Sequence, residues 1–276
     1  MVSLQLGVVS RLVEGPEEAL RKVAEMGFPT TQLICWDPDW FTAEMAERVR
    51  ASSEQNQVAI STLWVGTPGK YVWDLVRGPS TIGIVPESTR EERMPALYKG
   101  ADFAEMIGAP SITTHVGFIP DDPLTALYRQ VTEALRGIAQ YCADKGIGFW
   151  FETGQETPVT LLRTMEDIGT DNLGINLDPA NLLLYGKANP VDALDVFGRY
   201  VRGVHAKDGE YPTNGRELGV EKPLGQGRVG FSRLIGKLVD LGFDGALTIE
   251  REISGPQQIA DIKSGKRYLE SILANL

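Results

Sequence analysis

Ile147-Gly-Phe-Trp-Phe-Glu-Thr-Gly154 is a nearly unbroken apolar run that ends in a carboxylate and is punctuated at once by glycine. A short run of this kind is the signature of a strand buried on both faces, the type found in parallel sheets. Its acid, Glu152, falls where such a strand emerges from its core. A carboxylate there is costly unless something pairs with it, so it points to cation binding or proton chemistry.

Reading outward from this strand, apolar runs alternate with helix-forming stretches along the whole chain. Strands are expected at 4–9, 31–35, 58–64, 111–116, 147–152, 173–178, 201–207 and 246–250. Helices are expected at 16–26, 43–55, 91–107, 123–145, 158–168, 190–197, 231–241 and 256–273. Gly27, Gly108 and Gly146 stand where three of those helices should stop. Eight such alternations predict an α/β fold, a (β/α)8 TIM barrel, rather than an open doubly wound sheet. No glycine-rich phosphate fingerprint follows the first strand, where a dinucleotide fold would carry one.

A length of 276 residues suits one barrel, so a single domain over 1–276 is expected. The 27 basic and 37 acidic residues give a net charge of −10, which speaks against nucleic-acid or anionic-membrane partners. The N-terminus lacks the basic and apolar regions of a signal peptide, and no apolar run has the length to span a bilayer. Cys35 and Cys142 match no metal or redox spacing and read as buried structural thiols of a cytoplasmic protein.

Two connections, 66–89 and 208–228, are too long for simple turns. The first holds Tyr71 and Trp73, the second Tyr211 and the Gly225-Gln-Gly227 stretch. Both follow strands and so belong on the C-terminal face, where barrel enzymes keep their sites. Active-site loops are the expectation, and idle surface excursions are the alternative.

Following each later strand to its C-terminal end gives Glu152, Asp178, His205 and Glu250. Alternation groups Asp178 with Asn176, His205 with Lys207, and Glu250 with Thr248 on inward faces, with apolar Leu177 and Ile249 between. Three carboxylates and an imidazole on neighbouring strand ends repel as bare charges, and one divalent cation resolves that conflict. The mixed oxygen and nitrogen set suits Mn²⁺ foremost, with Mg²⁺, Co²⁺ or Zn²⁺ as other candidates. Taken singly, each residue also has a plain structural reading; Asp178-Pro-Ala-Asn181, for instance, has the form of a helix-capping turn. His115, at the end of the fourth strand, is a candidate substrate ligand or a buried core histidine. Lys207 is a candidate for holding an oxyanion, or for pairing with a rim acid. Trp36, Trp64 and Trp73 are candidates for an apolar wall against a sugar ring, or core residues.

Phe151-Glu-Thr-Gly154, Asn176-Leu-Asp-Pro-Ala-Asn181, Val204-His-Ala-Lys-Asp208, Pro223-Leu-Gly-Gln-Gly227 and Thr248-Ile-Glu-Arg-Glu252 occur in that order. Together they resemble the sugar isomerase/epimerase family of xylose-isomerase-like barrels over essentially the whole chain. That family includes ketose 3-epimerases, hydroxypyruvate isomerases, and inosose isomerases and dehydratases. The resemblance implies that Glu152, Asp178, His205 and Glu250 bind one divalent metal, usually manganese, and that Glu152 and Glu250 are the acid/base pair. It also implies that Glu156 contacts substrate, with a helix cap near Pro158 as the alternative. A homo-oligomer, dimer or tetramer, is a further expectation by resemblance. Ketose 3-epimerases usually carry a histidine three residues after the strand-six aspartate and an arginine after strand seven. Asn181 stands at the first position and Arg216 is the nearest match for the second, so both are carried as candidate substrate-binding residues.

The chemistry this predicts is isomerisation or epimerisation of a sugar or keto-sugar through an enediolate, with loss of a β-hydroxyl in an inosose or keto-sugar dehydratase as the alternative. A DNA-repair nuclease of the endonuclease IV type is the remote alternative. It would need three metals and more histidines than the two present here.

Overall fold

The computed structural model describes residues 4–276. In chain order the elements are β1 (Leu6–Arg11), α1 (Pro16–Glu25), β2 (Thr30–Cys35), α2 (Ala43–Asn56), β3 (Ala59–Val65) and α3 (Glu87–Ile107). There follow β4 (Ser111–Thr114), α4 (Ala126–Asp144), β5 (Gly148–Glu152), α5 (Pro158–Ile168), β6 (Leu173–Leu177), α6 (Pro179–Leu184) and α7 (Pro190–Phe197). The chain ends with β7 (Val201–Ala206), β8 (Asp208–Gly209), β9 (Glu221–Lys222), α8 (Phe231–Asp240), β10 (Leu247–Ile249) and α9 (Pro256–Leu273). Eight strands close a barrel in the order β1-β10-β7-β6-β5-β4-β3-β2, every neighbour parallel. The expected (β/α)8 barrel is therefore present. Among the described residues no helix is long and apolar enough to cross a membrane.

Strand β5 shows why the sequence builds this layer. Phe149 and Phe151 are fully buried, and burying each stabilises by about 1.5–3 kcal/mol. Trp150 and Glu152 alternate with them and belong to the opposite face. Trp150 lies against the neighbouring strands, where a Cβ on Gly174 would meet its ring at 2.5 Å. Glu152 therefore sits one layer further toward the C-terminal rim.

The helices start where side chains supply an acceptor for orphan amides. Thr42, Thr125, Thr157 and Asn189 cap α2, α4, α5 and α7. Helix α4 thus begins at Ala126, after its Thr125 cap, rather than at 123. Helix α3 begins earlier than expected, at Glu87, and carries Pro95 inside it. Helix α6, directly after β6, was not expected at all. Its cap is Asp178, whose Oδ1 accepts from Asn181 N at 2.9 Å.

The two long connections are fixed in different ways. In the first, the buried guanidinium of Arg93 on α3 donates to the carbonyls of Pro68 (3.0 Å), Thr81 (2.8 Å), Gly83 (2.5 Å) and Lys70 (3.3 Å). It also lies 4.4 Å over the Tyr71 ring. The second carries the antiparallel β8–β9 pair. Asp208 anchors its return, accepting from the amides of Gly225 (3.0 Å), Gly227 (3.1 Å) and Val229 (3.1 Å). A Cβ on Gly227 would meet Asp208 Oδ1 at 2.1 Å, which accounts for the glycine there. Leu75 N donates to Arg216 O at 3.2 Å and joins the two connections.

Candidate active site

Glu152 is the last residue of β5, Asp178 and Glu250 immediately follow β6 and β10, and His205 is the penultimate residue of β7. All four are buried, and one donor atom from each lies within 4.8 Å of the other three. His205 Nδ1 is the centre of the group. It stands 3.0 Å from Glu152 Oε1, 3.2 Å from Glu250 Oε2 and 4.0 Å from Asp178 Oδ2.

The capping turn at Asp178 is present and uses one oxygen, which leaves the other for the ligand reading. Oδ1 caps α6. Oδ2 is buried and accepts no hydrogen bond, with only the Lys207 ammonium 3.4 Å away. An orphaned carboxylate oxygen beside two further carboxylates and an imidazole nitrogen is a donor set that fits a divalent cation of oxygen-preferring character.

Without a cation, protein groups share out the charge. Burial pushes the Glu152 carboxyl up, but the His205 and His115 imidazoles outweigh it and hold it below the usual carboxylate value. Glu250 is held far below that range, burial being overcome by Lys207 and His205. Burial dominates at Asp178 and raises it to about 7, against the opposing pull of Lys207. His205 and Lys207 are both raised well above their usual values. Burial alone would lower them, but Glu152 and Glu250 act on His205, and Asp178 and Glu250 on Lys207. The buried carboxylates are thus balanced by the His205 and Lys207 cations.

Glu152 and Glu250 line a cavity of about 500 Å³, together with His115 and Asn181. Trp36, Trp64 and Trp73 also line it. The Trp36 ring packs 5.0 Å from Trp64 and 5.1 Å from Tyr71, and Tyr71 stacks on Trp73 at 5.4 Å. Trp64 is more than a wall, because its indole N–H donates to Glu152 Oε2.

The remaining sequence candidates separate. His115 Nε2 lies 3.6 Å from Glu152 Oε1, while its Nδ1 is buried without a partner. Lys207 is buried and pairs with Asp178, with Glu250 (3.3 Å) and with Glu252 (3.0 Å), and donates to Asn181 Oδ1 at 3.3 Å. Glu156 does not line the cavity and does not cap α5, a role taken by Thr157. It is nevertheless buried, and burial raises its carboxyl to about 8, with Oε2 unpartnered. Arg216 is not brought to the cluster; its exposed side chain borders a separate groove with Val76 and Asn214.

Three polar lining residues were not singled out from the sequence: Arg11 at the end of β1, Tyr185 just after α6, and Glu252. Gln32 was also missed. It is 1% exposed, and its Oε1 lies 2.7 Å from His205 Nε2 while its Nε2 donates to Asn176 Oδ1 at 2.7 Å. A lone glutamine inside the otherwise buried strand β2 was the available signal.

The thiols of Cys35 and Cys142 are buried and unpaired, and burial raises them to about 11 and about 12, as expected of structural cysteines.

Comparison with known proteins agrees with this architecture. A solved structure from Planctomyces limnophilus, described as a xylose isomerase domain protein, is 33% identical, with 99% of each chain covered and a TM-score of 0.93. An uncharacterized protein of Methanocaldococcus jannaschii is 25% identical over 96% of this chain and 88% of its own. A xylose isomerase-like TIM barrel protein from Mycobacterium smegmatis, solved in complex with magnesium, shares 19% identity, covers 99% and 97%, and has a TM-score of 0.73. Further structures of the same fold, all below 25% identity, include ketose 3-epimerases and a probable 3-DHS dehydratase. Residues 20–272, most of the barrel and all four clustered side chains, match the family described as the xylose isomerase-like TIM barrel, and this chain belongs to that family.

Proposed function

We propose that the protein is a divalent-metal-dependent isomerase or epimerase acting on a sugar or keto-sugar, with Glu152 and Glu250 as its acid/base pair. The observation that carries this reading is the placement of those two buried carboxylates 3.0 and 3.2 Å from His205 Nδ1, at the border of an aromatic-walled cavity. A cation held by Glu152, Asp178, His205 and Glu250 would supply Lewis-acid polarisation of the substrate carbonyl, with Mn²⁺ the first candidate.

The chain's own groups then do the proton work. Both carboxyls of the pair are held on the ionised side of their usual range, so either can accept a proton from the carbon next to the carbonyl. Removal leaves an enediolate, and the other carboxyl, after taking a proton from solvent, returns it to carbon. Return to the opposite face of the same carbon is epimerisation; return to the neighbouring carbon is aldose–ketose isomerisation. The Trp64 indole N–H holds Glu152 at Oε2, which orients the carboxylate for attack. Trp36, Trp73 and Tyr71 offer faces for the apolar side of a sugar ring.

A second reading is water loss from an inosose or keto-sugar at the same site. It is favoured by Asn181, which lines the cavity and engages Lys207 where ketose 3-epimerases usually carry histidine. The test is a panel of keto-sugars and inososes incubated in heavy water with the Mn²⁺-loaded protein and followed by proton NMR. Exchange of an α-hydrogen with retention of the carbon skeleton supports the isomerase or epimerase, and an unsaturated product supports the dehydratase. Glu152→Gln and Glu250→Gln are expected to abolish exchange while circular dichroism stays unchanged. Full activity in Glu250→Gln would overturn the two-carboxylate mechanism.

A further inference from the structure

We propose that Gln32 is a positioning residue that fixes which ring nitrogen of His205 faces the cluster, holding Nε2 as the protonated nitrogen and leaving the Nδ1 lone pair for a cation. The inference rests on the metal reading above and adds a residue to it.

The geometry runs across the barrel. Gln32 on β2 reaches inward to His205 on β7 and Asn176 on β6 at once. Its amide nitrogen is committed to Asn176 Oδ1 at 2.7 Å, which can only accept. The atom left for the imidazole, Oε1, is also only an acceptor, and it lies 2.7 Å from His205 Nε2. Nε2 must therefore carry its hydrogen, and the other nitrogen is the one that stands 3.0 Å and 3.2 Å from the two catalytic candidates. The reverse arrangement of both amides would place the lone pair on Nε2, pointing away from every carboxylate in the cluster.

The neighbouring sequence makes room for this pair of amides. Gly203 is two residues before His205 on the same strand face. A Cβ there would meet Asn176 Oδ1 at 2.7 Å and Gln32 Nε2 at 3.4 Å. The layer beneath the imidazole is thus emptied of a side chain from its own strand and filled by two amides from others. Histidines that ligate metals are commonly oriented by an acceptor at the distal nitrogen, and loss of that acceptor typically costs about 10–100-fold in affinity.

The experiment uses the full chain loaded with ¹¹³Cd²⁺ and labelled with ¹⁵N in its two histidines, with His115→Gln to separate the two rings. The expected result is cadmium–nitrogen coupling to Nδ1 of His205 and a proton on Nε2. Gln32→Met should weaken Cd²⁺ and Mn²⁺ binding about 10–100-fold by titration calorimetry and spread the coupling over both nitrogens. Gln32→Glu keeps an acceptor for Nε2, and Asn176 can turn its unpartnered amide nitrogen to the new carboxylate. It should retain Nδ1 coupling and bind within a few-fold of the parent.

Coupling to Nε2 in the unaltered protein would overturn the proposal without any variant, and so decides the matter even if Gln32→Met fails to fold. Equal affinity in a folded Gln32→Met, or a loss in a folded Gln32→Glu as large as in Gln32→Met, would also overturn it. Failure to bind either metal at all would instead overturn the metal reading, and this inference with it.

Discussion

Trp64 donates its indole N–H to Oε2 of Glu152, on the side of the carboxylate away from His205. The base candidate is therefore held at Oε2 before any substrate arrives. A hydrogen bond to a charged group contributes about 1.5–3 kcal/mol. Trp64→Phe keeps the aromatic packing and removes only the donor. It should slow α-hydrogen exchange about 10–100-fold, measured by deuterium incorporation. An unchanged rate would mean that this hydrogen bond does not orient the carboxylate.

The cluster should report its cation through stability. A ligand that binds only the folded state at ~100 times its Kd stabilises by about 2.7 kcal/mol, or roughly 5–10 °C in melting temperature for a chain of this size. Mn²⁺ is expected to produce such a rise and a chelator to reverse it. Asp178→Asn is the informative variant, because its remaining oxygen can still cap α6 while the orphan oxygen is lost. It should melt near the parent without metal and gain far less on adding Mn²⁺. An equal gain in calorimetry would remove Asp178 from the ligand set.

Glu156 makes a pH-dependent contribution with a definite sign. Its carboxyl is raised by burial from 4.5 to about 8, so the folded state favours the neutral form. That contribution is complete below pH ~4.5, falls as pH rises at up to about 1.4 kcal/mol per unit, and is gone above pH ~8. Glu156→Gln cannot ionise. Denaturant melts between pH 5 and 8 should therefore show a flatter profile for the variant than for the parent, with the variant relatively more stable at pH 8. Parallel profiles would show that Glu156 is not buried as a neutral acid.

Arg93 should control the aromatic wall from a distance. Its guanidinium serves four loop carbonyls and the Tyr71 ring. Arg93→Met leaves those carbonyls to find new partners, at a cost of about 1–3 kcal/mol for each that stays buried and unpaired. Hydrogen exchange across residues 67–83 should speed up, and KM should rise more than kcat falls. Unchanged exchange in that segment would place the loop's order elsewhere.

Much of this was readable before any coordinates. The eight alternations are strong periodic signals, and the four strand-end groups stand out because ionisable residues close apolar runs. Alternation alone gave Asn176 and Thr248 their inward direction. The less legible features depend on partners far away in sequence. Arg93 reads as an ordinary charged residue on α3, and only its burial against the 68–83 carbonyls reveals its task. Asp178 could be read as a cap or as a ligand; that one oxygen caps α6 while the other keeps no hydrogen bond is visible only in the folded chain. Gln32 lies 173 residues before His205, a pairing that no local pattern contains. Arg216 lay outside local patterns too, since the tip of a long loop is placed by contacts rather than by periodicity.

The backbone link from Leu75 to Arg216 has a kinetic meaning. One connection riveted by Arg93, the other by Asp208 and the two tied together favour a fixed aperture over a hinged cover. On that footing a substrate would enter and leave through an opening of constant shape, with no large-scale closure to wait for. Turnover limited by proton transfer would be indifferent to added viscogen, and molecules too bulky for the opening would be refused before the carboxylates meet them.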